Sequence, residues 1–215
     1  MSQEAVEAAG LEARIEQGLE ALGLTRSAEQ VACLAAYLEL LVRWNRVYNL
    51  TAVRDPEQMV TIHLLDSLSA QPYLHGKRVA DVGSGAGLPG IPLAVMDPRR
   101  RFHLVEPSAK KSRFLEQVRI ALDLGNVAVH AVRAEALETG PGYDTVISRA
   151  LGPLGRVWRQ AAHLLAPGGR MIFMKGRSPQ VELQQLPIQP EAVRIQRVRV
   201  PGLDAERHIV TIDMQ

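Results

Sequence analysis

The sequence predicts an α/β fold: a mostly parallel, seven-stranded sheet with a C-terminal antiparallel hairpin and an N-terminal helical extension. Three observations carry this expectation. From Lys77 onward, short β-rich apolar runs alternate with helical segments. That alternation marks βαβ units, a parallel sheet and helices on both faces. The first such run leads straight into a glycine-rich turn and a helix start, VADVGSGAGLPGIPLAV (79–95). Finally, VRIQRVRV (193–200) and RHIVTID (207–213) are joined by a short Pro-Gly loop, which reads as a hairpin added to a sheet edge.

The elements follow in order. Residues 1–75 read as a helical extension, and residues 76–215 as the sheet domain. Ser27 and Gln30 stand at capping-box spacing. Val31, Leu34, Leu38, Leu41 and Asn45 then recur at helical period, giving a helix of about five turns with one face inward. Asp55-Pro56 starts a second helix, proline first, running to about Ala70 before Pro72. Strands are expected at 78–82, 102–106, 127–132, 143–148 and 168–176, the last after a Pro-Gly-Gly turn. Helices are expected at 92–97, 108–123 and 153–165.

A chain of 215 residues, 47% hydrophobic, can bury one substantial core. No run of 18 or more apolar residues is present, and the acidic, amphipathic start has no signal-peptide pattern. The expectation is a cytoplasmic protein. One cysteine, Cys33, forms no internal disulfide, in keeping with a reducing compartment. The net charge of +2 is unevenly spread: residues 1–30 carry net −4 and residues 99–119 net +5. The basic strip suits a polyanion, or is simply a solvated face. Arginine outnumbers lysine 21 to 4; it suits phosphate recognition, although genome composition explains the bias equally well.

The glycine turn holds the functional question. Gly83, Gly85 and Gly87 let the backbone turn sharply and approach a ligand closely. Residues 85–90 satisfy G-x-G-x-x-G, so a dinucleotide site stays open. No Gly-Lys-Ser/Thr follows, which excludes a triphosphate loop. Two carboxylates point elsewhere. Asp81 ends the first strand, where it repels pyrophosphate but can hold a cationic amino-acid moiety; alternatively it caps the turn. Glu106 ends the second strand, where a carboxylate can accept from two ribose hydroxyls. Together they suggest S-adenosyl-L-methionine, an adenosine carrying a sulfonium and an ammonium.

DVGSGAGLPGIPLA (81–94) resembles the signature of bacterial small-subunit rRNA guanine-N7 methyltransferases, the glucose-inhibited division protein B family. WNRVYNLTAVRDPEQMVTIHLLDSL (44–68), VEPSAKKSRFLEQV (105–118), VISRALGPL (146–154) and GGRMIFMKG (168–176) are similar to the same family, in its order. The resemblance spans roughly residues 30 to 185; the first 25 residues and the hairpin match only in outline. It implies a class I Rossmann-like methyltransferase acting on N7 of a guanine in the 530 loop of 16S rRNA, with naked rRNA or the 30S subunit as partner. By motif, Gly83, Leu88, Ala134, Glu135 and Arg149 would touch the cofactor. Family members often carry Asp in place of Glu106; the longer side chain keeps the carboxylate and extends its reach.

Guanine N7 has a free lone pair and no proton, so it needs no general base. The chemistry is then alignment for in-line displacement plus preorganised dipoles. Arg149, just past the fourth strand, is expected near the acceptor as the catalytic group, or else in an ion pair with Asp66 or Glu135. Lys110, Lys111, Arg113 and Lys175 are expected at the same edge, on RNA phosphates. His63 and Asp66 read as braces between helix and sheet more readily than as a relay or metal site, and no metal is expected. Asn45 and Asn49 are expected to bond backbone near the site. Tyr37, Leu41, Trp44 and Tyr48 form a helical stripe that is either core or a stacking surface for unpaired bases. Three alternatives stay open: a methyltransferase for a small molecule or protein, a nicotinamide oxidoreductase, and a ribosome-binding protein without catalysis. A monomer is expected, because no apolar stripe is left over.

Overall fold

The computed structural model describes residues 3–184, 186 and 188–214, with side chains from residue 9 onward except Pro190. The acids Glu4 and Glu7 of the N-terminal count lie outside the described side chains. Seven strands form one sheet in the order β3-β2-β1-β4-β5-β7-β6. They are β1 (Arg78–Val82), β2 (Arg101–Val105), β3 (Val127–His130), β4 (Tyr143–Arg149), β5 (Leu165–Lys175), β6 (Val193–Val198) and β7 (Arg207–Asp213). The first five run parallel, and β7 pairs antiparallel with both β5 and β6. β1 lies between β2 and β4, so the strand order reverses at its carboxyl end. Ligands of open parallel sheets bind there.

The helices are α1 (Gln3–Ala21), α2 (Ala28–Tyr48), α3 (Pro56–Met59), α4 (Asp66–Leu68), α5 (Gly90–Met96), α6 (Ala109–Ala121), α7 (Leu154–Ala161) and α8 (Gln180–Leu183). α2 begins with both halves of the capping box: Gln30 N–H donates to Ser27 Oγ, and Ser27 N–H to Gln30 Oε1. Asn49 ends it in the left-handed conformation. The helix expected over 56–70 is continuous only in outline. Val60–Leu65 between α3 and α4 is π-helical, a local form that often marks functional positions.

Two apolar layers sandwich the sheet. One joins Ile15, Leu19, Leu34, Leu38 and Leu64 to Leu93, Phe114, Ile147 and Ile172, so the N-terminal helices share a core with α5 and α6. The other joins Ala80, Val146, Phe173 and Val210 to Val157 and Leu164. Several ends are shorter than expected: β3 stops at His130, β6 at Val198 and α7 at Ala161, and the start of β5 departs furthest. Pro167-Gly168-Gly169 does not precede β5 but bulges inside it: Tyr143 pairs with Leu165, and the next match is Thr145 with Arg170. The bulge lets β5 start earlier than a turn would allow.

Candidate active site

The glycine turn leaves β1 at the reversal point. Gly83 takes φ +70°, and a Cβ there would collide with Leu151 Cδ1. Gly83 and Ser84 N–H both donate to Val105 O, at 2.9 and 3.3 Å, which ties the turn to the end of β2. Gly85, at φ +59°, is less crowded: the one atom within 4 Å of a Cβ there is Gly83 O, at 3.8 Å. Backbone can therefore approach a ligand at Gly85 with nothing intervening. Leu88 and Gly87 are buried below it, and both amides donate to Ser84 O.

Carboxylates hold this turn. Glu106, just past β2, is 5% exposed; its Oε2 accepts from Gly85 N–H and its Oε1 from Ser108 N–H, each at 2.9 Å. Each oxygen keeps a second lone pair for a hydroxyl donor. Asp81 is fully buried, and its Oδ2 accepts from Gly90 N–H at 2.9 Å, capping the start of α5. Its Oδ1 has no partner, so a buried acceptor waits for a donor. Burial pushes the Asp81 carboxyl up to about 7, against the opposing pull of the Gly90 amide and the Arg149 guanidinium. The turn thus presents two buried carboxylates, one holding two backbone amides and the other with an unpartnered oxygen.

The helical extension reaches the turn directly. Tyr37, wholly buried on α2, donates its hydroxyl to Ala86 O at 2.7 Å. The stripe that contains it divides: Tyr37 and Leu41 are core, Trp44 is half-buried and Tyr48 is exposed. Sequence reasoning could place Tyr37 in the core but held no signal for the target of its hydroxyl.

Arg149 closes the other side, at the end of β4. Its Nη1 donates to Asp66 Oδ2 at 2.9 Å and to Ile62 O at 3.0 Å. Asp66 Oδ1 accepts from Arg207 Nε at 2.7 Å. Asp66 thus braces α4 against β4 and β7 together, and Arg149 makes the ion pair weighed for it, with Asp66 and not with Glu135. Arg207 lies 141 positions from Asp66, and only the pairing of the hairpin brings it here. His63, in the π-helical stretch, is 5% exposed, with Nε2 at 2.8 Å from Thr51 Oγ1. Burial, aided by Arg149, lowers its pKa to about 4, so it is neutral at pH 7. Asn45 accepts from Thr51 N–H and donates to Val53 O, which fixes the segment after α2. Asn49 Oδ1 accepts from Arg54 at 3.5 Å.

The remaining expected residues lie after β3, at the start of α6 and at the end of β5. Ala134 is buried and Glu135 exposed in the single turn after β3. Lys110, Lys111 and Arg113 open α6 at the carboxyl edge; Lys110 Nζ donates to Tyr48 O at 3.2 Å. Lys175 is not free for a phosphate as it stands: it pairs with Glu182 at 2.9 Å and donates to Gly152 O. Among the described residues no group of three or more His, Cys, Asp or Glu is placed to hold a metal ion. Nor is any described helix long and apolar enough to cross a membrane.

Comparison with known proteins matches this arrangement to a family. Residues 30–210 fit the family model described as rRNA small subunit methyltransferase G, GidB. That span takes in most of the terminal hairpin. The ribosomal RNA small subunit methyltransferase G of Methylococcus capsulatus is 49% identical over 198 residues, covering 92% of this chain and 96% of that protein. The one from Xanthomonas euvesicatoria is 48% identical over 200 residues, 93% of each chain. Among solved structures, a tRNA (m1A58) methyltransferase from Aquifex aeolicus superposes with TM-score 0.55 at 16% identity, covering 72% of this chain and 70% of that one. The O-methyltransferase TomG from Streptomyces achromogenes gives 0.55 at 15%, covering 83% and 90%. At that identity they speak for the fold alone, a class I methyltransferase sheet. The sequence matches go further: this chain belongs to the rRNA small subunit methyltransferase G family of S-adenosylmethionine-dependent enzymes.

Proposed function

We propose that this enzyme methylates N7 of a guanine in the 530 loop of 16S rRNA. The observation that carries the reading is the acidic rim of the glycine turn: Asp81 with an unpartnered oxygen, Glu106 on Gly85, and an uncrowded backbone at Gly85. Family membership sets aside the nicotinamide oxidoreductase reading. When bound, S-adenosylmethionine supplies an electrophilic methyl on a sulfonium. Every other part belongs to the chain. Glu106 receives the ribose hydroxyls while steadying Gly85. Asp81 holds the ammonium. Gly83, Gly85, Gly87 and Leu88 form the floor, with Ala134 and Glu135 beside it.

The acceptor nitrogen carries no proton, so no residue has to remove one. His63 fits that requirement: it is neutral, buried and bonded to Thr51. Alignment does the work. Arg149 uses one nitrogen on Asp66 and Ile62, which fixes the guanidinium plane and leaves further N–H groups for cofactor or guanine O6. Lys110, Lys111 and Arg113 take the RNA backbone at the same edge; Lys175 joins them only by giving up Glu182. Residues 1–75 act as an extension of the 76–215 methyltransferase domain, and the enzyme works in the cytoplasm as a monomer. Radiolabelled methyl transfer into 30S subunits, naked 16S rRNA and total protein tests the reading. Label at a single 530-loop guanine N7 is expected; label in protein only, or at another atom, overturns it.

A further inference from the structure

The α2 stripe ends on a surface that the methyl-transfer chemistry leaves unused. Val47 and Tyr48 stand side by side with 70% and 42% exposure, among the most exposed large apolar side chains described. Tyr48 is not loose. Its ring centroid lies 5.1 Å from that of Trp44, and Trp44 lies 5.6 Å from the fully buried Phe114. Phe114 in turn faces Tyr37 at 6.5 Å. An aromatic ladder therefore runs from the glycine turn to the surface, and its last rung is exposed.

The backbone under that rung is fixed as well. Asn49 closes α2 in the left-handed conformation, and Tyr48 O accepts from Lys110 Nζ. That ammonium keeps two further donors. Lys110 sits in the first turn of α6, one residue past Ala109 and two past Ser108, whose N–H bonds Glu106, the carboxylate that also holds Gly85. The exposed ring is thus linked by a short chain of bonds to the proposed cofactor turn. Half-buried Lys111 and exposed Arg113 follow Lys110 in the opening turns of α6.

A rigidly backed aromatic ring among cations is how proteins hold unpaired bases. The ring stacks on any base, and the cations track the phosphates. We infer that Tyr48, with Val47 beside it and Lys110 beneath it, is a stacking platform for an unpaired RNA base flanking the methylated nucleotide. The inference rests on the rRNA reading above. The occupant is a nucleobase and not a protein side chain, because a lysine ammonium with donors to spare sits on the backbone under the ring and the ring is held before anything binds.

The test uses the full chain, labelled oligoadenylate, and an abasic sugar–phosphate oligomer of the same length and charge. Wild type should bind oligoadenylate about tenfold more tightly than the abasic oligomer, the scale of one base–aromatic stack. Tyr48→Leu should lose that preference, and Tyr48→Phe should keep it. Lys110→Ala should weaken both probes equally. S-adenosylhomocysteine affinity, unchanged in each variant, verifies the fold. Equal binding of the two probes by wild type overturns the platform whatever the variants do. So does a preference that survives Tyr48→Leu. Loss of 30S binding with naked-rRNA binding intact overturns it too, since that surface would then meet a protein. Methyl transfer into 16S rRNA is read in parallel. If wild type methylates it and Tyr48→Leu does so with an unchanged KM, only the platform falls. If wild type methylates no rRNA, the underlying reading falls.

Discussion

Asp81 unites two readings that the sequence set against each other. One oxygen caps α5 through the Gly90 amide, and the other is buried without a partner, the acceptor proposed for the ligand ammonium. The cost is a carboxyl pushed up to about 7 by burial, from the usual value of 3.8. Because the folded state holds the proton more tightly than the unfolded chain, this group's contribution to stability is fullest below pH 3.8. It is lost as pH rises through 7. Asp81→Asn removes the titration while keeping an acceptor for Gly90. Its melting temperature should therefore gain on wild type between pH 5 and 8, as read by scanning calorimetry. Binding of a ligand ammonium favours the ionised form, so wild-type affinity for S-adenosylhomocysteine should climb over pH 6 to 8. In Asp81→Asn it should be flat and about tenfold weaker at neutral pH, the scale of one charged hydrogen bond. Parallel pH profiles for the two proteins would remove Asp81 from the ligand.

α2 acts at the scale of an element. It is fastened at three levels to the pieces that frame the turn. Gln30 Nε2 donates to Val95 O and Met96 O at the end of α5, Tyr37 to Ala86 O, and Tyr48 O accepts from Lys110 on α6. The capping box and the buried face were legible in the residues, because both depend on local spacing. The three fastenings were not, since a hydrogen bond across 49 or 65 positions leaves no periodic trace. The π-helical stretch was hidden for a related reason: its apolar spacing over six residues does not differ from that of an α-helix. Pro167-Gly168-Gly169 carried the residue types of a turn, and only the register of β4 against β5 makes it a bulge. Tyr37→Phe tests the central fastening, removing one hydroxyl and leaving Ala86 O without its donor. An unmade buried bond costs about 1–3 kcal/mol. If that cost falls on the turn, S-adenosylhomocysteine binding should weaken about tenfold by calorimetry while the KM for rRNA holds. An unchanged cofactor affinity would mean that the turn keeps its shape without α2.

Over the whole molecule, folding divides what the sequence presents as one basic strip. Residues 99–119 span β2, a turn and α6, so the strip doubles back on itself. Arg99, Arg100 and Arg101 stand at the amino edge of the sheet, where Arg99 and Arg100 pair with Asp97. Lys110, Lys111 and Arg113 stand at the carboxyl edge, beside the glycine turn. Arg119, a few turns on, returns to the far side and pairs with Glu116 at 2.7 Å. The length of β2 separates the two groups by about 13 Å, at 3.3 Å per residue. That exceeds the screening length of about 10 Å at 0.1 M salt, so the two groups do not act as one field. The local excess of +5 was legible; its division was not, because charge counts ignore direction along a strand. RNA bound at the carboxyl edge should feel only one half. In filter binding of 16S rRNA between 50 and 200 mM salt, Lys110→Ala should lower the slope of log affinity against log salt by about one. Arg99→Ala and Arg101→Ala should leave both slope and affinity at wild-type values. Equal losses from the two edges would place the RNA around the molecule and not across the carboxyl ends of the strands.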